Sequence, residues 1–513
     1  MNYLQTFERS VRNYPEKPAL VTDDGRSFSY TEFDERSSAL AAALSDRLQE
    51  GRCATLANNG LPAVESMIAG QKRGIATVQL PYRGSPDELV RKTASADATG
   101  LVFDDANVET ALRMLEHTDF EAVIHAGTSD VSHPAVESYE SVLADAAGRE
   151  PTPSGKNEYG VFYTSGTTST PKAVLFDQEQ MWLGSAQVVM EMGIDPTDVA
   201  LVTTPWYHMV TTDAWILPHL QAGSTLVLHS KFEPDEALQL IEEHDVTGLL
   251  AVPTQLSVLA DRQAEAGYDV ETLDYIRTGG SIVSADLVQR ASEQLTENVY
   301  NSYGMTEGGP NLTYAHPSVQ AEHTGSVGKA SYVWDIRVVE TVPPSETPDP
   351  EAVVDDGETG EILARGPGMC RGYLDNPAAE DELFVDGWIR TGDVAEVDED
   401  GYLYIVDRVD NMIISGGENI YPQEVEQVLL EHDAVVDVGV FGVEDEYWGE
   451  VVVCAASVTG DVEETHLEEF CKGHGELANF KRPRRYALTT DELPRTDTGT
   501  LERHQVIQRF FGS

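Results

Sequence analysis

A hydroxyl-rich loop carries the strongest chemical signal in this chain. Residues 163–172 read YTSGTTSTPK and follow the strand-like segment GVF. Short hydroxyl donors around a flexible glycine can wrap phosphate oxygens, and the ammonium of Lys172 would neutralise their charge. The segment predicts a phosphate cradle, with a surface linker rich in Ser and Thr as the alternative. The predicted contacts are Thr164, Ser165, Gly166, Thr167, Thr168 and Lys172.

Two later segments carry groups that suit a nucleotide. Residues 301–307, NSYGMTE, combine an aromatic ring, a hydroxyl and the carboxylate of Glu307, and residues 388–393, WIRTGD, end in Asp393. A carboxylate with two acceptor oxygens suits a vicinal diol, and a carboxylate that also lies near phosphate is a hard oxygen ligand for a metal. Taken singly, each segment is equally typical of a turn or of the core.

In this order the segments resemble the signatures of the acyl-adenylate-forming superfamily of AMP-binding acyl-CoA synthetases, and the resemblance covers nearly the whole chain. TSGTTxxPK, YGxTE and TGD are the matching elements. The resemblance implies that Tyr303 stacks on adenine, Thr306 reaches the α-phosphate and Glu307 helps to bind Mg²⁺. It also implies that Asp393 holds the ribose hydroxyls, with Arg408 as its partner. The implied cofactors and substrates are ATP, Mg²⁺ and coenzyme A.

A second group of segments resembles the aryl-CoA ligase branch of that superfamily, typified by 4-chlorobenzoate-CoA ligase. Residues 410–422 are similar to its hinge and following loop, which implies that Asp410 is the pivot of a swinging small domain. Gly416 and Gly417 would line the tunnel for the pantetheine arm, where only a bare backbone fits. The implied contacts to the CoA nucleotide, for which a salt-bridged surface patch is the alternative, are Arg83, Trp448, Phe480 and Arg482.

The acid-binding pocket is expected between three segments of the large domain. They are PWYHM with His208, the small-residue turn Gly279-Gly280-Ser281, and residues 305–311. The resemblance implies that His208 lies near the substrate carboxylate, and a packed core histidine is the alternative. The branch favours an aryl acid as the small-molecule substrate, while medium-chain fatty acids and an o-succinylbenzoate-type acid stay open.

One element departs from the pattern of the family. Residues 493–501, LPRTDTGTL, are similar to the PRTxTGK element, whose Lys reaches the site during adenylation, but Thr500 stands at that place. A Lys ammonium stabilises charge that grows in the transition state, so its loss should lower the rate by ~10²-fold or more. Three interpretations follow. The chain is an AMP-forming acid–CoA ligase in which Arg495, Arg503 or another residue replaces the Lys, or it forms only the thioester, or it binds nucleotide or acyl-CoA without turnover.

The elements that must position these groups alternate between helix and strand signals. Over several hundred residues this alternation predicts parallel sheets covered by helices, in two α/β layers. Beyond residue 330, short alternating strands predict a small β-barrel-like unit, and the last part of the chain predicts a small α+β domain. We expect an α/β fold with a large domain over residues 1–408, a hinge at 408–411 and a small mobile domain over residues 411–513.

The charge of the chain excludes several classes of partner. Its 513 residues include 34 Lys and Arg against 88 Asp and Glu, which gives a formal net charge of −54. Such a surface lacks the basic footprint that nucleic acid or an anionic membrane requires. A hydrophobic content of 41% is still ample for a folded core. We therefore expect a folded protein that binds neither nucleic acid nor a membrane.

Cysteine spacing and the N-terminal residues indicate the compartment. The four cysteines show no CxxC spacing, so neither a zinc site nor a disulfide framework is expected. The first twenty residues carry charges every few positions and lack the apolar segment of a signal peptide. No stretch approaches the roughly 18 apolar residues of a membrane span. These features favour the reducing cytoplasm, and a homodimer is compatible with them.

The excess of carboxylates, with Lys scarcer than Arg, is typical of adaptation to high salt. An ordinary acidic cytosolic enzyme is the alternative. Salt screens repulsion between exposed carboxylates, so we expect the melting temperature to rise by about 5 °C or more between dilute buffer and 2 M KCl. Thermal unfolding followed by circular dichroism measures this shift. A melting temperature that stays constant or falls would rule out the adaptation.

Overall fold

The computed structural model describes residues 1–164, 172–281, 283–416, 418–445, 447–460, 462–475, 477–495 and 501–512. By their internal contacts the residues form two compact units. The first comprises Met1–Ile336 with Ala364–Ile389, and the second comprises Arg337–Leu363 with Arg390–Ser513. The hinge predicted at 408–411 therefore falls inside the second unit.

Strands and helices are numbered in chain order over the described residues. The strands are β1 (Pro18–Thr22), β2 (Ser27–Ser29), β3 (Arg52–Leu56), β4 (Thr77–Gln79), β5 (Ala98–Asp104), β6 (Ala122–Ala126), β7 (Val136–Ser138), β8 (Glu158–Tyr163), β9 (Ala173–Asp177), β10 (Val199–Val202), β11 (Thr225–Leu228), β12 (Gly248–Leu250), β13 (Tyr275–Gly279), β14 (Val299–Met305), β15 (Gly309–Ala315), β16 (Lys329–Ala330), β17 (Asp335–Val339), β18 (Thr359–Arg365), β19 (Gly372–Tyr373), β20 (Phe384–Val385), β21 (Trp388–Val397), β22 (Leu403–Arg408), β23 (Ile413–Ser415), β24 (Glu418–Ile420), β25 (Val435–Asp445), β26 (Gly449–Val458) and β27 (Arg485–Thr489). The helices are α1 (Tyr3–Asn13), α2 (Tyr30–Leu48), α3 (Leu61–Arg73), α4 (Pro86–Ser95), α5 (Val108–Leu115), α6 (Tyr139–Ala146), α7 (Gln178–Met192), α8 (Met209–Thr211), α9 (Leu217–Ala222), α10 (Pro234–His244), α11 (Pro253–Ala266), α12 (Ala285–Gln294), α13 (Pro317–Glu322), α14 (Pro377–Leu383), α15 (Pro422–Leu430), α16 (Glu464–Gly473) and α17 (Arg503–Phe510).

Two large sheets form the first unit. One has the strand order β16-β15-β14-β13-β12-β10-β11-β1-β2, and the other has the order β19-β9-β8-β4-β3-β5-β6-β7. Their central strands pair in parallel, including β10 with β12, β13 with β14, and β4 with β8. The two parallel α/β layers predicted from the sequence are confirmed.

The central strands are apolar because both faces of each sheet are covered. Strands β10, β11 and β12 are almost entirely buried, as expected where helices pack on both sides. A shared core that includes Trp206 and Trp215 also contains Phe176 of β9 and Leu226 of β11. The two sheets are therefore held against one continuous hydrophobic core.

Local signals set where the helices begin. At α2, the Ser29 hydroxyl accepts a hydrogen bond from the backbone N–H of Glu32 at 3.2 Å, and the Glu32 carboxylate accepts one from the backbone N–H of Ser29 at 2.8 Å. This reciprocal capping box satisfies two donors that the first turn leaves open. Beyond it, the alanine-rich stretch Ala39–Ala43 is buried, which lets the helix pack closely. The same sequence therefore encodes both the start of α2 and its buried face.

The second unit contains a smaller sheet with the strand order β24-β23-β26-β25, in which β27 also pairs with β26. Helices α15 and α16 contribute Val425 and Leu467 to its core. Strands β21 and β22 form an antiparallel pair in which Asp393 lies opposite Arg408. The small α+β domain predicted near the end of the chain is present. Among the described residues, no helix combines the length and the apolarity that crossing a bilayer requires.

Candidate active site

The ends of the predicted phosphate loop lie side by side in the first unit. Strands β8 and β9 are antiparallel, and Tyr163 pairs with Ala173. Thr164 and Lys172 therefore flank the connection at the same edge of the sheet. The predicted contacts Ser165, Gly166, Thr167 and Thr168 lie in the part of the chain that the structure does not describe.

Two predicted site segments meet at the carboxyl ends of two parallel strands: the turn Gly279-Gly280-Ser281 and the segment with Tyr303, the predicted adenine contact. Gly279 ends β13 and pairs with Ser302 of β14, one residue before Tyr303. Ligands of α/β proteins commonly bind at this end of parallel strands. Gly279 has φ 151°, and a Cβ there would lie 2.3 Å from the carbonyl oxygen of Ser302. Only glycine lets β13 approach β14 this closely, which explains one residue of the Gly279-Gly280-Ser281 turn.

Glu307 meets a residue that sequence reasoning missed. The Tyr373 hydroxyl donates a hydrogen bond to Oε1 of Glu307 at 2.5 Å. The ring of Tyr373 lies under the Lys172 ammonium, with 5.3 Å between Nζ and the ring centroid. Thr306, the neighbour of Glu307, is partly buried. Three segments that are far apart in sequence thus bring a cation and a carboxylate to one tyrosine.

The donor chemistry at Glu307 fits a magnesium ion. Mg²⁺ in nucleotide sites is commonly bound through one or two carboxylates together with phosphate oxygens and waters. A single carboxylate beside the predicted phosphate loop is such a set. Glu307 would hold the ion, and Lys172 would neutralise the phosphates.

His208 is a partly buried histidine at the N-terminal end of α8. Its ring centroid lies 4.5 Å from that of Tyr207, and its backbone N–H donates to the carbonyl of Pro205 at 3.1 Å. Burial lowers the pKa of His208 to about 4, and the positive charges of Arg83 and Lys92 act in the same direction. His208 is therefore neutral at pH 7, able to donate or accept a hydrogen bond but not to carry charge.

Arg83, predicted to contact the CoA nucleotide, is exposed on the first unit. Its guanidinium carbon lies 5.8 Å from the ring centroid of Tyr82, whose ring in turn packs edge-on against Tyr207 at 5.1 Å. The tyrosine pair links Arg83 to the neighbourhood of His208. The structure thus groups a guanidinium, two tyrosines and a neutral histidine.

A buried polar network lies behind the strand ends. Arg277 of β13 donates through Nη2 to Oδ1 of Asn311 at 2.8 Å, and Nδ2 of Asn311 donates to Asp213 at 3.1 Å. Burial raises the pKa of Asp213 to about 7, against the opposing effects of Arg277 and Asn311. Sequence reasoning missed Asp213, which sits in an apolar segment with no motif around it, and also missed Arg277, although Arg277 lies two residues before the Gly279-Gly280-Ser281 turn. A buried charge must be paired, and only the fold shows with what.

In the second unit, Asp393 and Arg408 form the pair that the sequence predicted. Nη1 of Arg408 donates to Oδ1 of Asp393 at 3.1 Å, and Asp393 is buried while Arg408 is half exposed. The backbone N–H of Asp393 donates to the Thr391 hydroxyl at 3.1 Å. The Asp393 carboxylate thus faces the half-exposed guanidinium of Arg408.

The predicted pivot, Asp410, is exposed in a short turn at 409–411. The preceding carboxylate, that of Asp407, organises this turn. It accepts from the Asn411 amide at 2.8 Å and from the backbone N–H of Gln423 at 3.0 Å. Sequence reasoning did not single out Asp407, although an aspartate just before a predicted hinge was a usable signal. Because Asp407 is buried and accepts these hydrogen bonds, the turn at 409–411 has one defined conformation.

Trp448 covers Gly416 in the predicted pantetheine tunnel. The backbone N–H of Gly416 donates to the Trp448 carbonyl at 2.8 Å, and a Cβ on Gly416 would lie 2.8 Å from Cε3 of the indole. Gly416 has φ 64°, which also favours glycine. Trp448 and Phe480 are both exposed, at 48% and 43%. Gly417 falls outside the described residues.

Arg482, also predicted to contact CoA, is buried. Its Nη1 donates to Glu468 at 2.7 Å and its Nε donates to Asn479 at 3.4 Å. The side chain is therefore engaged inside the second unit. Its contact with CoA stays a prediction.

Thr500 lies outside the described residues, but the two arginines near it are described. Arg503 donates to the Val440 carbonyl at 2.7 Å and to Glu426 at 3.2 Å. Arg495 donates to Asp437 through Nε at 3.2 Å. Both guanidiniums are paired with carboxylates of the second unit.

The motifs and their geometry coincide with a known family. A family model described as AMP-binding enzyme matches residues 7–374, and one described as AMP-binding enzyme C-terminal domain matches residues 424–500. The chain belongs to the AMP-binding enzyme family. The resemblance inferred from the phosphate loop, YGxTE and TGD elements is thereby confirmed.

Two relatives that are similar over nearly their whole length are named as enzymes that form CoA thioesters. The chain is 34% identical to a feruloyl-CoA synthase from Amycolatopsis sp over 508 residues, covering 98% of both chains. It is 31% identical to a 2-succinylbenzoate–CoA ligase from Bacillus licheniformis, covering 99% of this chain and 100% of that protein.

Solved structures agree with the sequence comparison. The o-succinylbenzoate CoA synthetase of Bacillus subtilis in complex with its acyl-adenylate intermediate superposes with a TM-score of 0.84 at 28% identity, covering 98% of this chain and 97% of that one. The same enzyme is known with ATP and a magnesium ion, and that structure superposes with a TM-score of 0.83 at 28% identity over 98% of this chain and 99% of that one. ATP and Mg²⁺ are therefore ligands of a structural neighbour.

Replacing Gly279 by Ala is expected to destabilise the protein by about 1–3 kcal/mol more than replacing Gly280, since overpacking adds to backbone strain. Both glycines have positive φ, but a Cβ at Gly280 would meet nothing within 4 Å. Denaturant unfolding of the two variants isolates the clash with Ser302. Equal losses would show that β13 can move away from β14.

His208→Gln is expected to flatten the dependence of stability on pH. The pKa of His208 is about 4 in the folded protein against an ordinary value of 6.5, so the unfolded state binds more protons between these values. The free energy of unfolding should therefore rise with pH across this window in the native protein, and by about 1–2 kcal/mol less in the variant. Urea unfolding from pH 4 to pH 7.5 measures this, with the exposed His504→Gln as control. Identical pH profiles for His208→Gln and the native protein would contradict the neutral assignment.

Proposed function

We propose that this chain is an AMP-forming carboxylic acid–CoA ligase, located in the cytoplasm. The observation that carries the proposal is the meeting of Lys172 and Glu307 on Tyr373, beside the strand ends that bear the predicted adenine contacts. A cation and a hard oxygen ligand at one point suit a triphosphate with its metal. Whole-length similarity to CoA ligases supports the same reaction class.

The first half-reaction joins the acid to AMP. A carboxylate oxygen of the acid attacks the α-phosphorus of ATP, the bond from that phosphorus to the bridging oxygen breaks, and pyrophosphate leaves. Negative charge grows on the phosphate oxygens, so cations and donors placed there lower the barrier. In the proposal, Thr164, Lys172 and Thr306 contact the phosphates, Tyr303 stacks on adenine, and Asp393 with Arg408 holds the ribose.

The second half-reaction transfers the acyl group to CoA. The thiol sulfur attacks the carbonyl carbon of the acyl adenylate, the bond to the AMP oxygen breaks, and the thiol proton passes to solvent. A large domain over residues 1–408 and a small one over residues 411–513 would change orientation about Asp410 between the two steps. The exposed Trp448 and Phe480 offer aromatic faces for the CoA nucleotide. A homodimer stays a prediction that light scattering tests.

An aryl acid is the substrate class that the site supports best. The rings of Tyr82 and Tyr207 pack against each other next to the neutral His208. An aromatic acid would therefore meet apolar ring faces and a histidine that can form a hydrogen bond without carrying charge. The relatives named above act on aromatic acids according to their names. Medium-chain fatty acids are the competing class.

A second candidate function is an adenylation-impaired homologue that keeps thioester formation. The favouring observation is that Arg495 and Arg503, the cations nearest to Thr500 in sequence, are both paired with carboxylates. A paired guanidinium reaches a distant transition state only after its own bond breaks. If both arginines keep these partners, neither takes the place of the missing Lys, and adenylation is impaired.

Acid-dependent ATP–pyrophosphate exchange tests the proposed function. We expect the native protein in high salt to exchange label with ferulate or o-succinylbenzoate at least about tenfold faster than with C4 to C12 fatty acids, an advantage that one or two desolvated aromatic contacts can supply. Exchange that is equal for all acids would overturn the aryl assignment. No exchange with any acid would overturn the adenylation step.

Thr500→Lys separates the two candidates, and Thr500→Met is its matched uncharged control. A gain below about tenfold for the Lys variant means that another cation already acts, as the ligase proposal requires. A gain of ~10²-fold or more, absent from the Met variant, means that the native chain lacks this charge and favours the impaired homologue. Thioester formation from supplied acyl adenylate and CoA completes the comparison.

A further inference from the structure

Tyr373 touches both charged groups of the candidate phosphate and metal site. Its hydroxyl donates to Oε1 of Glu307 at 2.5 Å, and its ring centroid lies 5.3 Å from Nζ of Lys172. The three residues are far apart in sequence, yet all three belong to the first compact unit. The side chain therefore bridges the end of the phosphate loop and the segment that carries the predicted metal ligand.

The backbone fixes Tyr373 in this place. Strand β19 pairs with β9 immediately after Lys172, with Tyr373 opposite Val174 and the N–H of Leu374 donating to the Ala173 carbonyl at 2.9 Å. The backbone N–H of Tyr373 also donates to the Glu380 carboxylate at 2.8 Å. This edge pairing fixes the backbone of Tyr373 next to the end of the phosphate loop.

Glu307 is fixed to the same segment. The backbone N–H of Cys370 donates to the Glu307 carbonyl at 2.8 Å, and the Glu307 side chain is buried. A phenol hydroxyl can donate one hydrogen bond, and that of Tyr373 donates to the Glu307 carboxylate. A buried carboxylate with a defined donor has a defined direction, whereas a solvated one rotates.

We propose that Tyr373 is a positioning residue for the adenylation half-reaction, in which its hydroxyl orients the Glu307 carboxylate toward Mg²⁺–ATP and its ring face holds the Lys172 ammonium at the phosphate loop. This inference rests on the proposed function. The hydroxyl acts through an ion–dipole hydrogen bond, and the ring acts through a cation–π contact. The two contributions can be removed separately because they belong to different parts of one side chain.

Tyr373→Phe removes the hydroxyl and keeps the ring. We expect the Mg²⁺ concentration for half-maximal pyrophosphate exchange to rise about fivefold or more and the exchange rate to fall about tenfold, as loss of a hydrogen bond to a charged group permits. Thioester formation from supplied acyl adenylate and CoA should change by less than about twofold. Tyr373→Leu should in addition raise the KM for ATP, because the Lys172 contact is lost as well.

The matched control is Tyr268→Phe, which removes another tyrosine–carboxylate hydrogen bond of the first unit. The Tyr268 hydroxyl donates to Asp235 at 2.9 Å on the exposed surface. This variant should leave the Mg²⁺ dependence and both half-reactions unchanged. A general loss of packing, by contrast, would lower the melting temperature and both half-reactions together.

The action through Glu307 is tested by a double-mutant cycle. In the Glu307→Gln background, Tyr373→Phe should change the exchange rate by less than about twofold, because the partner of the hydroxyl is already altered. Calorimetry gives a second readout that needs no turnover: Tyr373→Phe should weaken binding of Mg²⁺–ATP and leave binding of ATP in EDTA unchanged.

Three results would overturn the inference. They are a Mg²⁺ dependence that moves by less than about twofold, an equal loss in both half-reactions, and an undiminished effect in the Glu307→Gln background. Failure of the proposed function is distinguishable, because the native protein itself would then show no exchange. In that event unchanged Mg²⁺–ATP binding by Tyr373→Phe would overturn the positioning role, and selectively weakened binding would support it.

Discussion

A single buried guanidinium ties together the elements on which the candidate site is built. Arg277 is fully buried and donates to Ser302 of β14 and to Asn311 of β15. It also donates to the carbonyl of Ala214, in the π-helical segment Thr212–Ile216 that follows α8. An arginine at this depth stays charged and is tolerated only when its donors are satisfied. Strands β13, β14 and β15 and the segment after His208 are therefore fixed relative to one another. Gly279 and Tyr303 lie next to these contacts, so their positions are fixed as well.

The same logic governs how this acidic chain uses its few cations. Among the described residues, Glu65, Glu158 and Glu361 are buried, and each is paired with an arginine. A buried carboxylate without a partner would be strongly destabilising, whereas exposed carboxylates are hydrated and screened by salt. Exposed carboxylates therefore carry most of the net charge of −54.

A cation that forms an ion pair with a carboxylate of the protein is less available to bind a substrate. Arg495 and Arg503 are bonded inside the second unit, so the positions around Thr500 do not offer an arginine that is ready to move to a substrate. Lys172 is different, because a tyrosine ring face holds it without neutralising its charge. Glu307 is likewise held by a hydroxyl rather than by a cation. Both groups keep the charge that phosphate and a metal would require.

The sequence alone predicted the parallel α/β layers, the phosphate loop flanked by Thr164 and Lys172 and, through the family resemblance, the partnership of Asp393 with Arg408. These features depend on periodicity, on short-range geometry or on motif spacing. Residues that are close together in the sequence encode all three. Tyr373 and Arg277 became visible only in the tertiary structure. Their partners lie on other elements, 66 residues apart for Tyr373 and Glu307. Their significance comes from burial, and burial is decided by how distant segments pack and not by the residues next to them.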